Sequence, residues 1–321
     1  MSGEILINDI LVSEILAGDI LAALLRANVA LAVAVAAVLA ARRPMRRLFG
    51  AQIAYGLWAL PPIVFLASLM PPPVVLEAPP ADPFALARNH SAVVLAAWAV
   101  GAALVAGGFA TAQARYMAAA RRGRVGPSVV GVFIPRILMP ADDGTYTSSE
   151  RDLIRAHERE HVRRGDPRAR ALAAAFQALC WFNPLVHLAA QVMRTDQELA
   201  CDAAVLRRRP NDRALYARTL LKSQLAAQAL PFGCHWPAHG RHPLETRVAA
   251  MSAPAAHDGL AGPTLLAAAM ISAAFTAWAS QPPGEKHPPP VIAFFDDTRE
   301  RAVSVLLIRT PPREVPTAPA S

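Results

Sequence analysis

His157 and His161 stand four residues apart, and Glu158 directly follows the first of them. On a helix four residues turn about 400°, so the two imidazoles share one face. Imidazoles spaced in this way can hold one Zn2+ at about 2 Å each. Glu158 lies about 100° round from His157, near enough to act on a water as general base without being a ligand itself. The H-E-x-x-H pattern therefore supplies two ligands and one base from a single turn, the parts needed for metal-assisted hydrolysis. The competing reading is a charged helix whose histidines are satisfied inside the fold, since "IRAHEREHVRRGD" is also rich in arginine. Arg155, Arg159 and Arg163 fall opposite the histidines, whereas Leu153 and Ile154 continue the histidine face. The helix thus has an inner and an outer side.

A hydrolytic zinc site needs a third protein ligand and one open position. "TDQELACDAAVL" places Glu198, Cys201, Asp202 and Val205 at i, i+3, i+4 and i+7, one helical stripe. Two acids on a stripe that ends in an apolar residue suit a buried cationic partner. Glu198 could ligate, and Asp202, one turn on, could orient a ligand histidine through its other ring nitrogen. Cys201 is an alternative ligand, less suited because thiolates predominate in closed structural sites. A solvated acidic face is the plain alternative to both. Asp166 follows the helix-ending Gly165 closely and reads as structural. His187 reads as a satisfied histidine of an apolar helix, and Glu160 as a surface ion-pair partner. Arg207 to Arg209 read as a solvated helix end. Trp181 and Phe182 read as core or membrane-surface residues. Cys234, His235, His239 and His242 gather in "GCHWPAHGRH", but at spacings that match no zinc pattern.

The elements that position these residues sit in an unusually apolar chain. Of its 321 residues 54% are hydrophobic and 17% charged, with a mean hydropathy of +0.29. A soluble domain carries about 25% charge. Four stretches, 20–40, 51–70 with a kink at Pro61 and Pro62, 91–111 and 260–278, are each long enough to cross about 30 Å of hydrocarbon as a helix. The net charge of +8 would suggest nucleic-acid binding in a soluble protein. Here the arginines flank apolar segments, in "ARRPMRR" and "RYMAAARRGR", and set topology instead. Both termini are then expected outside, with the first loop and the long third loop inside. Three cysteines are too few for a disulfide framework and fit a reducing compartment.

The expected organisation is a membrane region over 1–111, a cytoplasmic domain over 112–259, a fourth span over 260–278 and a proline-rich, mostly disordered tail over 279–321. Within the domain "PSVVGVFIPRILMP" predicts one or two short strands. "TSSERDLIRAHEREHVRRGD" predicts a capped helix ending at Gly165, with Pro167 stopping it. Three further helices are predicted, from "PRARALAAAFQALCWF", "PLVHLAAQVMRTDQELACDAAVLRRR" and "NDRALYARTLLKSQLAAQA".

Several ordered motifs together resemble one family. "VVGVFIPRILMP", "AHEREHVRRGD", "WFNPLVHLAAQVMRTDQELACDAAVL" and "PLETRVAAM" look like those of the BlaR/MecR antirepressor integral-membrane metallopeptidases, gluzincins related to the HtpX and Ste24 peptidases. The resemblance covers the chain up to the fourth span. It implies a mainly α fold of four transmembrane helices, with a gluzincin-like zinc metallopeptidase domain, helices plus a short strand element, between spans three and four. It implies zinc on His157, His161 and Glu198, Glu158 as catalytic base, and Asp202 behind the ligands. It implies a multi-pass protein of the bacterial inner membrane that cleaves a cytoplasmic winged-helix repressor, and itself, to relay a signal. The lipid bilayer is the expected surrounding, a homodimer is admitted, and no direct nucleic-acid contact is expected. The alternatives are a non-catalytic membrane transducer with a structural zinc, or a general quality-control metalloprotease. Drug-sensing members carry a penicillin-binding domain after the fourth span. This sequence has a short tail there and no S-x-x-K motif, so direct β-lactam sensing is not expected.

Overall fold

The computed structural model describes residues 2–76, 90–123, 126–139, 142–226, 243–251 and 259–285. The described chain is mainly helical. Helix α1 (Ser2–Phe49) contains the first apolar stretch. The second stretch is not one rod: α2 (Ala51–Gly56) and α3 (Leu60–Ala67) are joined by a 3-10 turn over Leu57–Ala59. Pro61 and Pro62 occupy the first turn of α3, where a missing N–H costs nothing, so the helix restarts at the prolines rather than bending around them. Helices α4 (Ser91–Arg121) and α10 (Ala261–Ala279) contain the third and fourth stretches. Among the described residues three helical segments are long and apolar enough to cross a membrane: Leu16–Phe49, Ser91–Arg121 and Ala261–Ala279. Ala51–Ala67 is a shorter apolar element.

The predicted strand region is a two-stranded antiparallel hairpin, β2 (Ser128–Val130) with β3 (Arg136–Leu138), in the register Val129 opposite Ile137. A separate two-residue parallel bridge pairs β1 (Val75–Leu76) with β4 (Gly284–Glu285). The beginning of the expected disordered tail is therefore tied to the second loop. The rest of that tail, from 286 on, lies outside the described residues, as does the cysteine–histidine cluster at 234–242.

Five helices build the remainder: α5 (Ser148–Arg164), α6 (Asp166–Leu179), α7 (Pro184–Arg208), α8 (Arg213–Ala226) and α9 (Pro243–Met251). Thr147 starts α5 with a full capping box, its side chain accepting from the Glu150 amide while Glu150 accepts from the Thr147 amide. Such a cap stabilises a helix by about 1 kcal/mol. Gly165 ends α5 in the left-handed region at φ 72°, a conformation that favours glycine. Pro167 then lies in the first turn of α6 rather than acting as the stop.

The hydrophobic core divides in an informative way. One cluster belongs to α5, α7, α8 and α9, through Leu153, Val205, Leu206, Tyr216, Leu220 and Met251. The other two join α6 and α7 to the membrane-side helices. Ala27 and Leu31 of α1 and Phe65 of α3 pack with Cys180 and Val186, and Val38, Leu57 and Trp58 pack with Met193. The turn between α6 and α7 consequently reaches the middle of the apolar stretches. Asn183 Nδ2 donates to Asn28 Oδ1 at 2.9 Å, and Trp98 Nε1 donates to the Leu179 carbonyl at 2.6 Å. Trp181 lies so near α4 at Gly101 that a Cβ there would come 2.2 Å from the indole. The sequence placed Trp181 and Phe182 in the core or at the membrane surface. Each is partly exposed and packed on the candidate spans, with Phe182 edge-on to Trp98 at 4.8 Å.

Candidate metal centre

Helices α5 to α9 and strand β2 converge on one cavity of about 730 Å³. Helix α5 contributes His157, Glu158 and His161, α7 contributes Glu198, and β2 contributes Ser128 and Val129 to the wall. The inner and outer faces of α5 fall as the pattern requires: Leu153, Ile154 and His161 are buried, Arg159 and Arg163 exposed. Glu160 departs from expectation. It does form ion pairs, with Arg163 and Arg208, but at 2% exposure it is a buried acid held between them rather than a surface one. Its second partner is one of the arginines at the end of α7.

The predicted site residues come together. The Nε2 atoms of His157 and His161 are 3.1 Å apart. Glu198 Oε2 is 3.3 Å from His157 Nε2, and Oε1 is 3.6 Å from His161 Nε2. Ligands of a tetrahedral zinc ion stand about 3.3 Å from one another, so these separations fit one ion. Glu158 is buried at 7% exposure beside them and lines the cavity. Cys201 is a second candidate, because its sulfur and the two imidazoles offer ligand atoms within 4.8 Å of one another. It is fully buried, however, its thiol donates to the His157 carbonyl at 3.2 Å, and it does not line the cavity, whereas Glu198 does.

The outer ring nitrogens decide what the inner ones can do. His161 Nδ1 donates to Asp166 Oδ2 at 2.6 Å. Tyr216 donates its hydroxyl proton to Asp202 Oδ1 at 2.7 Å, so its oxygen accepts from His157 Nδ1, also at 2.7 Å. Both imidazoles in this arrangement carry their proton on Nδ1 and present a lone pair at Nε2. Two lone pairs facing each other at 3.1 Å repel unless a proton or a cation lies between them. That demand, with a carboxylate as third neighbour, suits a divalent metal ion.

The surrounding charges act in the same direction. Burial alone would raise the Glu198 carboxyl, but the two neighbouring histidines and the charge of Arg247 outweigh it and hold it well below its ordinary range. Burial lowers both imidazoles, yet neighbouring groups raise them: chiefly Cys201 and Glu198 for His157, and Asp166 first for His161. The cluster therefore demands positive charge at its centre. Glu158 is shifted the other way, upward, because burial outweighs the two histidines beside it. A carboxyl raised in this manner is suited to taking and returning a proton.

Asp202 lies behind His157 and reaches it mainly through Tyr216; its own Oδ1 is 3.5 Å from Nδ1. Asp166 overturns its structural reading. The left-handed Gly165 folds the chain back so that Asp166, the first residue of α6, meets His161 one turn earlier. The motif "HVRRGD" already held that signal, a helix-stopping glycine followed by an acid. Tyr216 and Arg247 were not recognised. Arg247 holds Asp202 through Nε at 2.8 Å and Nη2 at 2.7 Å, and its Nη1 lies 3.3 Å from Glu198. They lie far along the chain from His157, so no local periodicity points to them; "PLETRVAAM" indicated Arg247 only as part of a motif. His187 behaves as expected, bonded to Gln177 and to the Trp181 carbonyl.

Replacing each candidate ligand separates the two third-ligand readings. Glu198→Ala is expected to lose bound zinc, and Cys201→Ala to keep about one equivalent, as read by metal analysis of the purified chain. Full occupancy in Glu198→Ala would exclude that carboxylate.

The comparisons agree with this geometry. The family model for the BlaR1 peptidase M56 matches residues 118–251, the stretch that contains α5 to α9 and both strands of the hairpin. A curated relative, the Regulatory protein BlaR1 of Bacillus licheniformis, is 32% identical over 81 residues, which is 25% of this chain and 14% of that protein. The chain therefore aligns with only a small part of that relative's length. No solved structure matches the chain. Over 118–251 the chain is thus similar to the BlaR1 peptidase M56 family, and this match with the BlaR1 relative beside it supports the BlaR/MecR resemblance that its motifs carry.

Proposed function

We propose that the chain is a membrane-embedded zinc endopeptidase that acts on the cytoplasmic side as a signal-transducing antirepressor, cleaving a winged-helix repressor and itself. The observation that carries this reading is Glu158. A structural metal site has no use for a buried carboxyl that lines the cavity beside two histidines with converging Nε2 atoms. His157, His161 and Glu198 would hold the ion. A zinc ion there would supply Lewis acidity, acidifying a water and polarising the scissile carbonyl.

The chain's own residues then have distinct tasks. Glu158 accepts the water proton and returns it to the departing amine. Asp166 keeps His161 protonated at Nδ1, and the Asp202–Tyr216 pair does the same for His157, so both Nε2 atoms remain unprotonated. Arg247 holds Asp202 in place and lies beside Glu198. Strand β2 lines the cleft with Ser128 and Val129, where an extended substrate can pair with its backbone. The apolar helices and the BlaR1 relationship support a bacterial inner-membrane setting.

The test uses the full chain in lipid vesicles with the winged-helix repressor as substrate. Cleavage is expected to stop when a chelator strips the metal and to return with one equivalent of Zn2+. Unchanged cleavage by the fully demetallated protein would refute the proposal.

A further inference from the structure

The carboxylate that orients His161 is itself held from outside the peptidase stretch. Tyr55 lies on α2, well before residue 118. Its hydroxyl donates to Asp166 Oδ1 at 3.1 Å, while the other oxygen, Oδ2, accepts from His161 Nδ1 at 2.6 Å. Asp166 is 1% exposed, so no solvent stands ready to replace a lost partner. The same Tyr55 oxygen accepts from Gln197 Nε2 at 3.0 Å, and Gln197 directly precedes Glu198 on α7. Arg164 completes the arrangement. Its Nη2 donates to Asp166 Oδ2 at 2.5 Å and to the Gln197 carbonyl at 2.8 Å, and its guanidinium stacks over the Tyr55 ring at 5.0 Å. The Nε and Nη1 of Arg164 are buried without hydrogen-bond partners, so the ring face is what offsets that desolvated charge.

We propose that Tyr55 is a positioning residue of the metal centre, by which the membrane-side helix α2 sets the centre's affinity for its ion. Through Asp166 it fixes the ring orientation and tautomer of His161. Through Gln197 it fixes the start of the turn that carries Glu198. With Oδ1 anchored, the Asp166 carboxylate cannot rotate Oδ2 away from His161. Without the hydroxyl, Oδ1 and the Gln197 amide both lose a buried partner, and the readiest repair is a rotation that loosens the histidine. The inference rests on the metal-site part of the functional reading and needs no catalysis.

Tyr55→Phe in the full-length chain tests it, since phenylalanine keeps the ring over Arg164 and removes only the hydroxyl. The readouts are the Zn2+ dissociation constant, by competition with a chelating dye, and the visible spectrum of the Co2+-loaded protein. Zinc binding is expected to weaken by about 3- to 30-fold, within or just below the range for residues that support a ligand, with a shifted cobalt spectrum. Gln52→Ala removes a neighbouring α2 bond, Nε2 to the Ala200 carbonyl at 3.3 Å, and is expected to leave both readouts unchanged. Wild-type affinity and spectrum in Tyr55→Phe would overturn the proposal. So would an equal loss in Gln52→Ala, which would assign the effect to general docking of α2. If Tyr55→Phe does not accumulate, Gln197→Glu removes the amide donor from the other side of the same hydroxyl, and unchanged zinc affinity there also overturns the proposal. A chain that cleaves nothing, but whose zinc binding weakens on Tyr55→Phe, would sink the peptidase reading and leave this one standing.

Discussion

Glu158→Gln is expected to lower peptide hydrolysis by about 100- to 10,000-fold while zinc content stays at the wild-type level. The substitution is nearly isosteric, so the buried position at 7% exposure is refilled without a cavity. An amide cannot take a proton from water, and it stands beside the candidate ligands without being one of them. The separation of the two readouts gives the test its force. A loss of activity together with zinc would move Glu158 into the ligand set; retained activity with zinc bound would remove it from the chemistry. Repressor cleavage in vesicles and metal analysis of the same preparation measure the two.

Arg247→Met should give the largest loss of stability. Asp202 is 3% exposed and is held by two Arg247 nitrogens and the Tyr216 hydroxyl. Removing the guanidinium leaves a buried carboxylate without its cation, a change that costs about 3–5 kcal/mol in folded proteins. Methionine approximates the aliphatic stem, so packing changes little and the charge decides the outcome. Chemical unfolding of the detergent-solubilised chain measures the loss. The double variant Arg247→Met with Asp202→Leu is expected to recover much of it, because no buried charge is then left unpaired. A single-variant loss below about 1 kcal/mol would mean that Asp202 is adequately held by Tyr216 alone.

The legible part of this molecule was the part written in short spacings. H-E-x-x-H, the acidic stripe from Glu198 to Asp202, the capping box at Thr147 and the apolar stretches each declare themselves within a few residues. The remainder depends on contacts that cross the chain. Asp196 is fully buried and pairs with Arg42 at 2.8 Å and with Trp58 Nε1 at 2.9 Å. Read along the sequence, Arg42 and Arg46 were topology signals, and their charge beside an apolar segment accounted for them fully. In space both lie within ion-pair distance of Asp196, two residues before Glu198. Likewise, two adjacent prolines indicated a kink in one span, whereas the helix breaks into α2 and α3, and α2 supplies the Tyr55 hydroxyl to Asp166. In the same way, two hydrophobic clusters of the 112–259 stretch are shared with α1 and the α2–α3 pair, contacts that no spacing within the stretch announces.

The turn from Cys180 to Asn183, packed against α1 and α4, makes the α6–α7 pair a lever with its fulcrum among the apolar helices. Helix α6 has 14 residues, so the turn and the carboxylate of Asp166 lie at opposite ends of a rod about 21 Å long. A tilt of about 5° at such a fulcrum displaces the far end by about 2 Å, the length of one metal–nitrogen bond. The indole packed against Gly101 and the carboxylate that orients His161 are thus attached to the two ends of one helix, some 20 Å apart.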